Sequence, residues 1–148
     1  VFKKKPLERL VGQLTSSATQ SRVQVGIFGG GVRSDVGMTN AALGYAHETE
    51  MGSISAGVPQ RSFLRMPLQQ HLAPELGSNW ASTIMNKGFV PALRKLGVIG
   101  ERVVQNAFAT GGFGQWPALK PETIRRKGSS AILIDTSQMR RSITSRVV

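Results

Sequence analysis

Trp116-Pro117-Ala118-Leu119-Lys120-Pro121-Glu122-Thr123-Ile124-Arg125-Arg126-Lys127-Gly128 spells out a short helix with a marked start and stop. Lys120 to Lys127 is predicted helical. Pro121 sits in the first turn, where its missing N–H is no loss, and Gly128 follows the end. Beyond it, Ala131 to Ile134 is a brief apolar run. Asp135 is placed to cap a further turn, with Gln138 three residues on as in a capping box. From Ile143 the period changes to two: Ile143, Ser145 and Val147 alternate with Thr144, Arg146 and Val148, which predicts a strand.

That strand needs a partner, and Arg22 to Phe28 supplies the matching pattern. Val23, Val25 and Ile27 alternate with Arg22, Gln24 and Gly26, as a half-buried strand requires. The rest reads as helix and loop. Leu7, Leu10, Val11, Leu14 and Ala18 form one stripe, predicting an N-terminal helix over Pro6 to Thr19, within residues 1–20. Gly29 to Met38 reads as a loop or the turn of a wide hairpin. Thr39 or Asn40 caps a short helix ending near Gly52, with Ala42, Tyr45, Ala46 and Thr49 on one face. Leu68, Leu72, Leu76, Trp80 and Ile84 predict a long helix from Pro67, or two shorter ones broken at Gly77. After Pro91, Leu93, Leu96, Gly100, Val103 and Ala107 share a side with Val104 and Phe108 adjoining, and Gly111, Gly112 and Gly114 end that helix. The expected fold is α+β: one domain over 1–148, with a small, mostly antiparallel sheet packed by two long helices and long Gly-rich loops.

The 148 residues carry 19 Lys and Arg against 8 Asp and Glu, a formal charge of +11. Such an excess attracts polyanions: nucleic acid, an anionic membrane or an acidic protein surface. Simple solubility, or pairing with acids of a neighbouring subunit, would use it equally. There are no cysteines, which excludes disulfides, thiolate zinc sites and cysteine nucleophiles. No apolar run approaches the roughly 20 residues that span a bilayer. The lysines at 3–5 are followed by no apolar core, so no signal peptide is expected.

Catalytic patterns are weak. Gly29-Gly30-Gly31 is followed by Val32-Arg33-Ser34-Asp35, not by the Gly-Lys-Ser/Thr of a phosphate loop. His47-Glu48-Thr49-Glu50 has Met51 where a zinc-protease helix places its second histidine. That segment reads as a polar helix face or a local pairing with arginine. His71 stands alone. Neither an enzyme activity nor a cofactor or metal is expected. Arg125-Arg126-Lys127 and Arg140-Arg141 form the main basic clusters. They lack interleaved aromatics for base stacking, so any nucleic-acid contact is expected to be with phosphate and without sequence preference.

Four motifs also occur in a telling order. Ala46-His47-Glu48 is followed by Val58-Pro59-Gln60-Arg61-Ser62-Phe63-Leu64, then by Trp116 to Gly128. Last comes Leu133-Ile134-Asp135-Thr136-Ser137-Gln138-Met139-Arg140-Arg141-Ser142-Ile143. From Tyr45 to Ile143 the chain resembles the virion morphogenesis and tail-completion proteins of tailed phages, the Mu-like and P2-like groups with neck-protein relatives of the HK97 type. In these a His-Glu helix precedes Ile-Pro-x-Arg-x-Phe-Leu, then Pro-x-Leu-x-Pro-x-Thr, then Leu-Ile-Asp-Thr-Gly-x-Leu-x-x-Ser-Ile. Ser137 stands where that pattern has glycine.

The resemblance implies a structural protein of the virion neck or tail, assembled in the host cytoplasm. It would form a homo-oligomeric ring, usually sixfold, that joins the head connector and its adaptor proteins to the tail tube. A terminator capping the tube shares the same features, and a non-specific basic nucleic-acid-binding protein is the alternative from a different class. No membrane partner is implied, and contact with genomic DNA in the channel would be non-specific. The candidate residues for a subunit interface or a DNA-facing lumen are Arg61, Arg125, Arg126, Lys127, Arg140 and Arg141. Phe63 is expected in the core, and Arg61 has an intrachain acid as its other possible partner. Charge reversal at Arg140 and Arg141 is expected to impair assembly and leave the monomer folded.

Overall fold

The computed structural model describes residues 20–29, 32–33, 37–49, 59–132 and 138–148, with residues 12 and 16 before them. In chain order the elements are β1 (Val23–Ile27), β2 (Val32–Arg33), β3 (Met38–Thr39), α1 (Asn40–Glu48), α2 (Arg65–Leu76), α3 (Trp80–Lys87), α4 (Phe89–Thr110), α5 (Pro121–Lys127), α6 (Gln138–Arg141) and β4 (Ile143–Val147). The helix expected over Pro6 to Thr19 lies outside the described residues except at Gly12 and Ser16. The Asp135 cap, the run to Ile134 and most of the Gly29 to Gly37 segment also lie outside them.

The two alternating segments pair as expected. β1 and β4 run antiparallel in the register Val23↔Val147, Val25↔Ser145, Ile27↔Ile143. Arg22 and Val148 exchange backbone hydrogen bonds of 2.7 and 2.8 Å just past the strands. On the face away from the helices, the Arg146 guanidinium lies 4.1 Å from the Phe28 ring centroid and donates through Nε to Gln24 Oε1 at 2.9 Å. β2 and β3 form a separate two-residue antiparallel ladder, Val32↔Thr39 and Arg33↔Met38.

α4 covers the other face of the β1–β4 pair. Leu93, Gly100, Val103, Val104, Ala107 and Phe108 are buried along it, which is the stripe read from the sequence. The helix lies very close to the strands. A Cβ added at Gly97 would come within 2.5 Å of Ser145 Oγ and 3.1 Å of Val23 Cγ2, so glycine here sets how near helix and sheet approach. At the other end Gly111 adopts the left-handed conformation of a helix C-cap (φ 63°, ψ 45°). Gly112 follows at φ 69°, and a Cβ there would strike the Trp116 indole at 2.3 Å. This turn folds Trp116 back onto the helix, where its ring meets Phe108 edge-on at 5.7 Å, and Phe108 tilts against Phe63 at 5.4 Å. Phe63, Val104, Ala107, Phe108, Trp116, Met139 and Ile143 form the core. Each large apolar side chain buried this way contributes roughly 1.5–3 kcal/mol.

Two expectations change. One helix, not two, is long: Gly77 (φ 69°) ends α2, and α3 starts afresh at Trp80. Pro74 already lacks a donor near the end of α2, so little holds the chain helical there. In α1, Thr39 caps the helix by accepting from Ala42 N at 3.0 Å, but its inward face is not the expected one. Tyr45 is 65% exposed. Gly44 is buried instead, with Ile27 Cδ1 and Phe63 Cζ each 3.1 Å from where its Cβ would be.

Candidate functional site

Three of the sequence motifs meet at one place: the end of α1, the start of α2 and the turn at Trp116. α2 begins at Arg65 with no side-chain cap from Leu64 and no acidic residue in its first turn. Its leading N–H groups therefore need an outside acceptor. Glu48 supplies it. Its carboxylate accepts from Phe63 N at 2.9 Å, Leu64 N at 3.1 Å, Arg65 N at 2.9 Å and the Ser62 hydroxyl at 2.5 Å. Ser62 Oγ in turn accepts from Met66 N at 2.9 Å. A negative charge at a helix start is favoured by the helix dipole as well. The main chain joins in: Arg61 N donates to His47 O at 2.8 Å and Gln60 Nε2 to Glu48 O at 2.9 Å.

The Trp116 turn closes this knot from the other side. Trp116 Nε1 donates to Ser62 O at 3.0 Å. Arg61 donates through Nε and Nη2 to Pro117 O at 3.2 and 2.9 Å, and through Nη2 to Ala118 O at 3.4 Å. Arg61 is only 4% exposed. Arg61 therefore does not line an outer interface or a lumen, and among the described residues its side-chain partners are carbonyls. Burial lowers its pKa. Its planar fork fits two adjacent carbonyls of a proline-bearing turn, a geometry that an ammonium would not match. Phe63, two residues on, is fully buried.

His47 borders the knot. Its pKa is lowered to about 4, first by burial and then by the positive charges of Arg61 and Lys127. Its Nδ1 is buried without a hydrogen-bond partner among the described residues. At neutral pH it is an uncharged packing group. Among the described residues no three His, Asp or Glu side chains group closely enough to hold a metal ion.

The remaining candidates separate. α5 is polarised along its axis, with Pro121 and Glu122 in the first turn, Arg125, Arg126 and Lys127 in the last, and Gly128 left-handed after it. Cations at a helix C-terminus are stabilising by themselves, by about 0.3–1 kcal/mol each. Arg125 and Arg126 are exposed, while Lys127 folds back to donate to Ala131 O at 3.0 Å. Arg141 is exposed, but Arg140 is partly buried. Gln105 clasps Arg140 by accepting from its Nε at 2.5 Å and donating to its carbonyl at 2.9 Å. Reversing both charges thus disturbs the α4–α6 contact as well as the surface, and Arg141 alone is the clean surface probe. Among the described residues Arg102 and Glu75 form an ion pair, at 2.6 Å, and no helix is long and apolar enough to cross a membrane.

The Glu48 cap and the burial of Arg61 were not legible as such in the sequence. The available signal was a helix start lacking its own cap, with a glutamate a short loop upstream. Comparison with known proteins gave no matching family model, no matching curated protein and no matching solved structure.

Proposed function

We propose that the chain is a structural subunit of a tailed-phage neck, forming a homo-oligomeric ring that joins the head connector to the tail tube. The observation that carries this is the convergence of the His-Glu, Pro-x-Arg-x-Phe-Leu and Trp-Pro motifs in one hydrogen-bonded knot. Glu48, Arg61, Ser62 and Trp116 are all engaged there with main-chain groups. The residues in which the chain resembles morphogenesis proteins are thus used to fix a rigid shape, which is what a ring subunit requires.

The exposed arginines are the working surface in this proposal. Arg125, Arg126 and Arg141 stand outside the knot, on a chain with eleven more positive than negative formal charges. Across a subunit boundary they meet acids of a neighbour or of a connector protein. On the lumen side they meet DNA phosphates, without sequence preference. Ring closure needs a head-to-tail contact whose rotation closes, with six copies to match a sixfold tail.

The test is where the chain resides. Immunogold labelling and mass spectrometry of mature particles are expected to find it at the head–tail junction, and native mass spectrometry to give a discrete oligomer. Label at the free end of unattached tails would make it a terminator. Absence from mature particles would overturn the proposal. Tight duplex-DNA binding by the monomer at about 100 mM salt, without assembly, would favour a nucleic-acid-binding protein instead.

A further inference from the structure

A cleft of about 500 Å³ lies between α2 and α4, bordered by α6, on residues outside the knot. Its volume is in the range of small-ligand sites. His71, the histidine that stands alone in the sequence, lines it and stacks on Phe113 with ring centroids 3.6 Å apart and planes 15° from parallel. His71 Nε2 is buried and has no hydrogen-bond partner among the described residues. Phe113 is the one residue other than glycine with a positive φ among those described, at 56°. A side chain in that region is strained. It is held there by Thr110 Oγ1, which accepts from Phe113 N at 3.0 Å, and by the stack.

The polar wall is equally organised. Gln105 fixes Arg140 through its Nε and its carbonyl. The two terminal guanidinium nitrogens of Arg140 therefore have no hydrogen-bond partner among the described residues. Arg102 lines the cleft on the α4 side, paired with Glu75 at 2.6 Å. Among the described lining residues, two arginines and one carboxylate leave a net charge of about +1.

We infer that this cleft binds a carboxylate carried on a flat apolar body. The carboxylate meets the preset fork of Arg140, whose geometry matches its two oxygens. The ring of the ligand lies against Phe113 and Val103. A doubly charged phosphate fits less well, because Glu75 faces the same space. The ligand is either a free aromatic acid or an acidic side chain beside an aromatic one on a partner protein, and the two sources share this chemistry. This goes beyond the ring proposal and does not depend on it.

The test titrates the full chain with benzoate, with neutral benzamide, with inorganic phosphate and with a capped Asp-Phe dipeptide, followed by ¹H–¹⁵N spectra. Benzoate is expected to shift the Phe113 and Gln105 amides with a roughly millimolar dissociation constant, the affinity such a small ligand allows. Benzamide and phosphate are expected to bind at least about tenfold more weakly. Arg140→Met is expected to weaken benzoate about tenfold, whereas Arg141→Met, an equal charge loss on the next and exposed residue, leaves it unchanged. Arg102→Met, on the exposed side of α4, gives a second reading if Arg140→Met fails to fold, and a loss is expected there also. Tighter binding of the dipeptide assigns a protein partner, and tighter binding of benzoate assigns a free acid. Equal binding of benzoate and phosphate, or equal losses in Arg140→Met and Arg141→Met, would reduce the cleft to part of a diffuse positive field and overturn the inference. So would the absence of any shift at Phe113.

Discussion

Replacing Glu48 by alanine removes the acceptor shared by three amides and one hydroxyl at the start of α2. The Arg65 amide is exposed and regains water. The Phe63 and Leu64 amides are partly buried and do so poorly. Hydrogen bonds to a charged group are worth about 1.5–3 kcal/mol each. Taking the lower end for two of them, because Glu48 itself is only half-buried, gives a loss of about 3–4 kcal/mol. For a domain of this size each kcal/mol moves the melting temperature by roughly 2–4 °C, so Glu48→Ala is expected to melt about 10 °C lower. Glu48→Gln keeps an acceptor oxygen and loses the charge, and about half that shift is expected. Urea titration followed by far-UV circular dichroism gives the free energy. Amide exchange at residues 63–65 shows whether the loss is local. A Glu48→Ala protein within about 1 kcal/mol of wild type would mean that the carboxylate does not hold α2, and would remove the keystone of the knot.

Three other outcomes are expected. Gly97→Ala forces a methyl group against Ser145 and Val23 and is expected to cost about 1–3 kcal/mol by overpacking, with partial recovery in Gly97→Ala with Ser145→Gly, read by the same titration. His47 is lowered to about 4 in the fold from 6.5, so the unfolded chain binds the extra proton. Its contribution is therefore intact above about pH 6.5 and is lost as pH falls towards 4, by about 2–3 kcal/mol once its partial exposure is allowed for; His47→Gln should remove that part of the slope in melts across this range. Arg125→Glu with Arg126→Glu changes exposed positions, so the urea midpoint should move by no more than about 0.5 kcal/mol while oligomer formation, read by native mass spectrometry, is lost; unaltered assembly would take α5 out of the interface.

What the sequence made legible follows a physical line. β1, β4 and the α4 stripe were readable because each buries apolar side chains at a fixed period, and period is what a sequence displays directly. α5 was readable because its proline, its charges and its glycine mark both ends. The inward face of α1 was misread for the converse reason. Gly44 makes contact by having no side chain, so counting apolar residues favoured Tyr45, which faces solvent. Arg61 was misplaced because an arginine is ordinarily a surface residue. What draws it inward is a pair of carbonyls 56 and 57 positions away, and a carbonyl has no letter in the sequence. Glu48 was taken for a polar face because its four donors lie 14 to 17 positions on, beyond the reach of any local rule. The His71 cleft draws on three separate helices and could be found only in space.

The pairing of β1 with β4 has a consequence for the order of events during synthesis. Gln24 and Arg146 are partners 122 positions apart, and Ile143 and Met139 supply the last core side chains. While residues 139–147 are still unmade, the part of α4 that meets Ser145 and the pairing edge of β1 have no cover. At about 5–20 residues per second, that leaves the nascent chain incomplete for several seconds after α4 emerges. Closing so long a loop is also intrinsically slow. The surfaces built around the β1–β4 pair are complete only once β4 docks, so the rate of this one closure limits when they form.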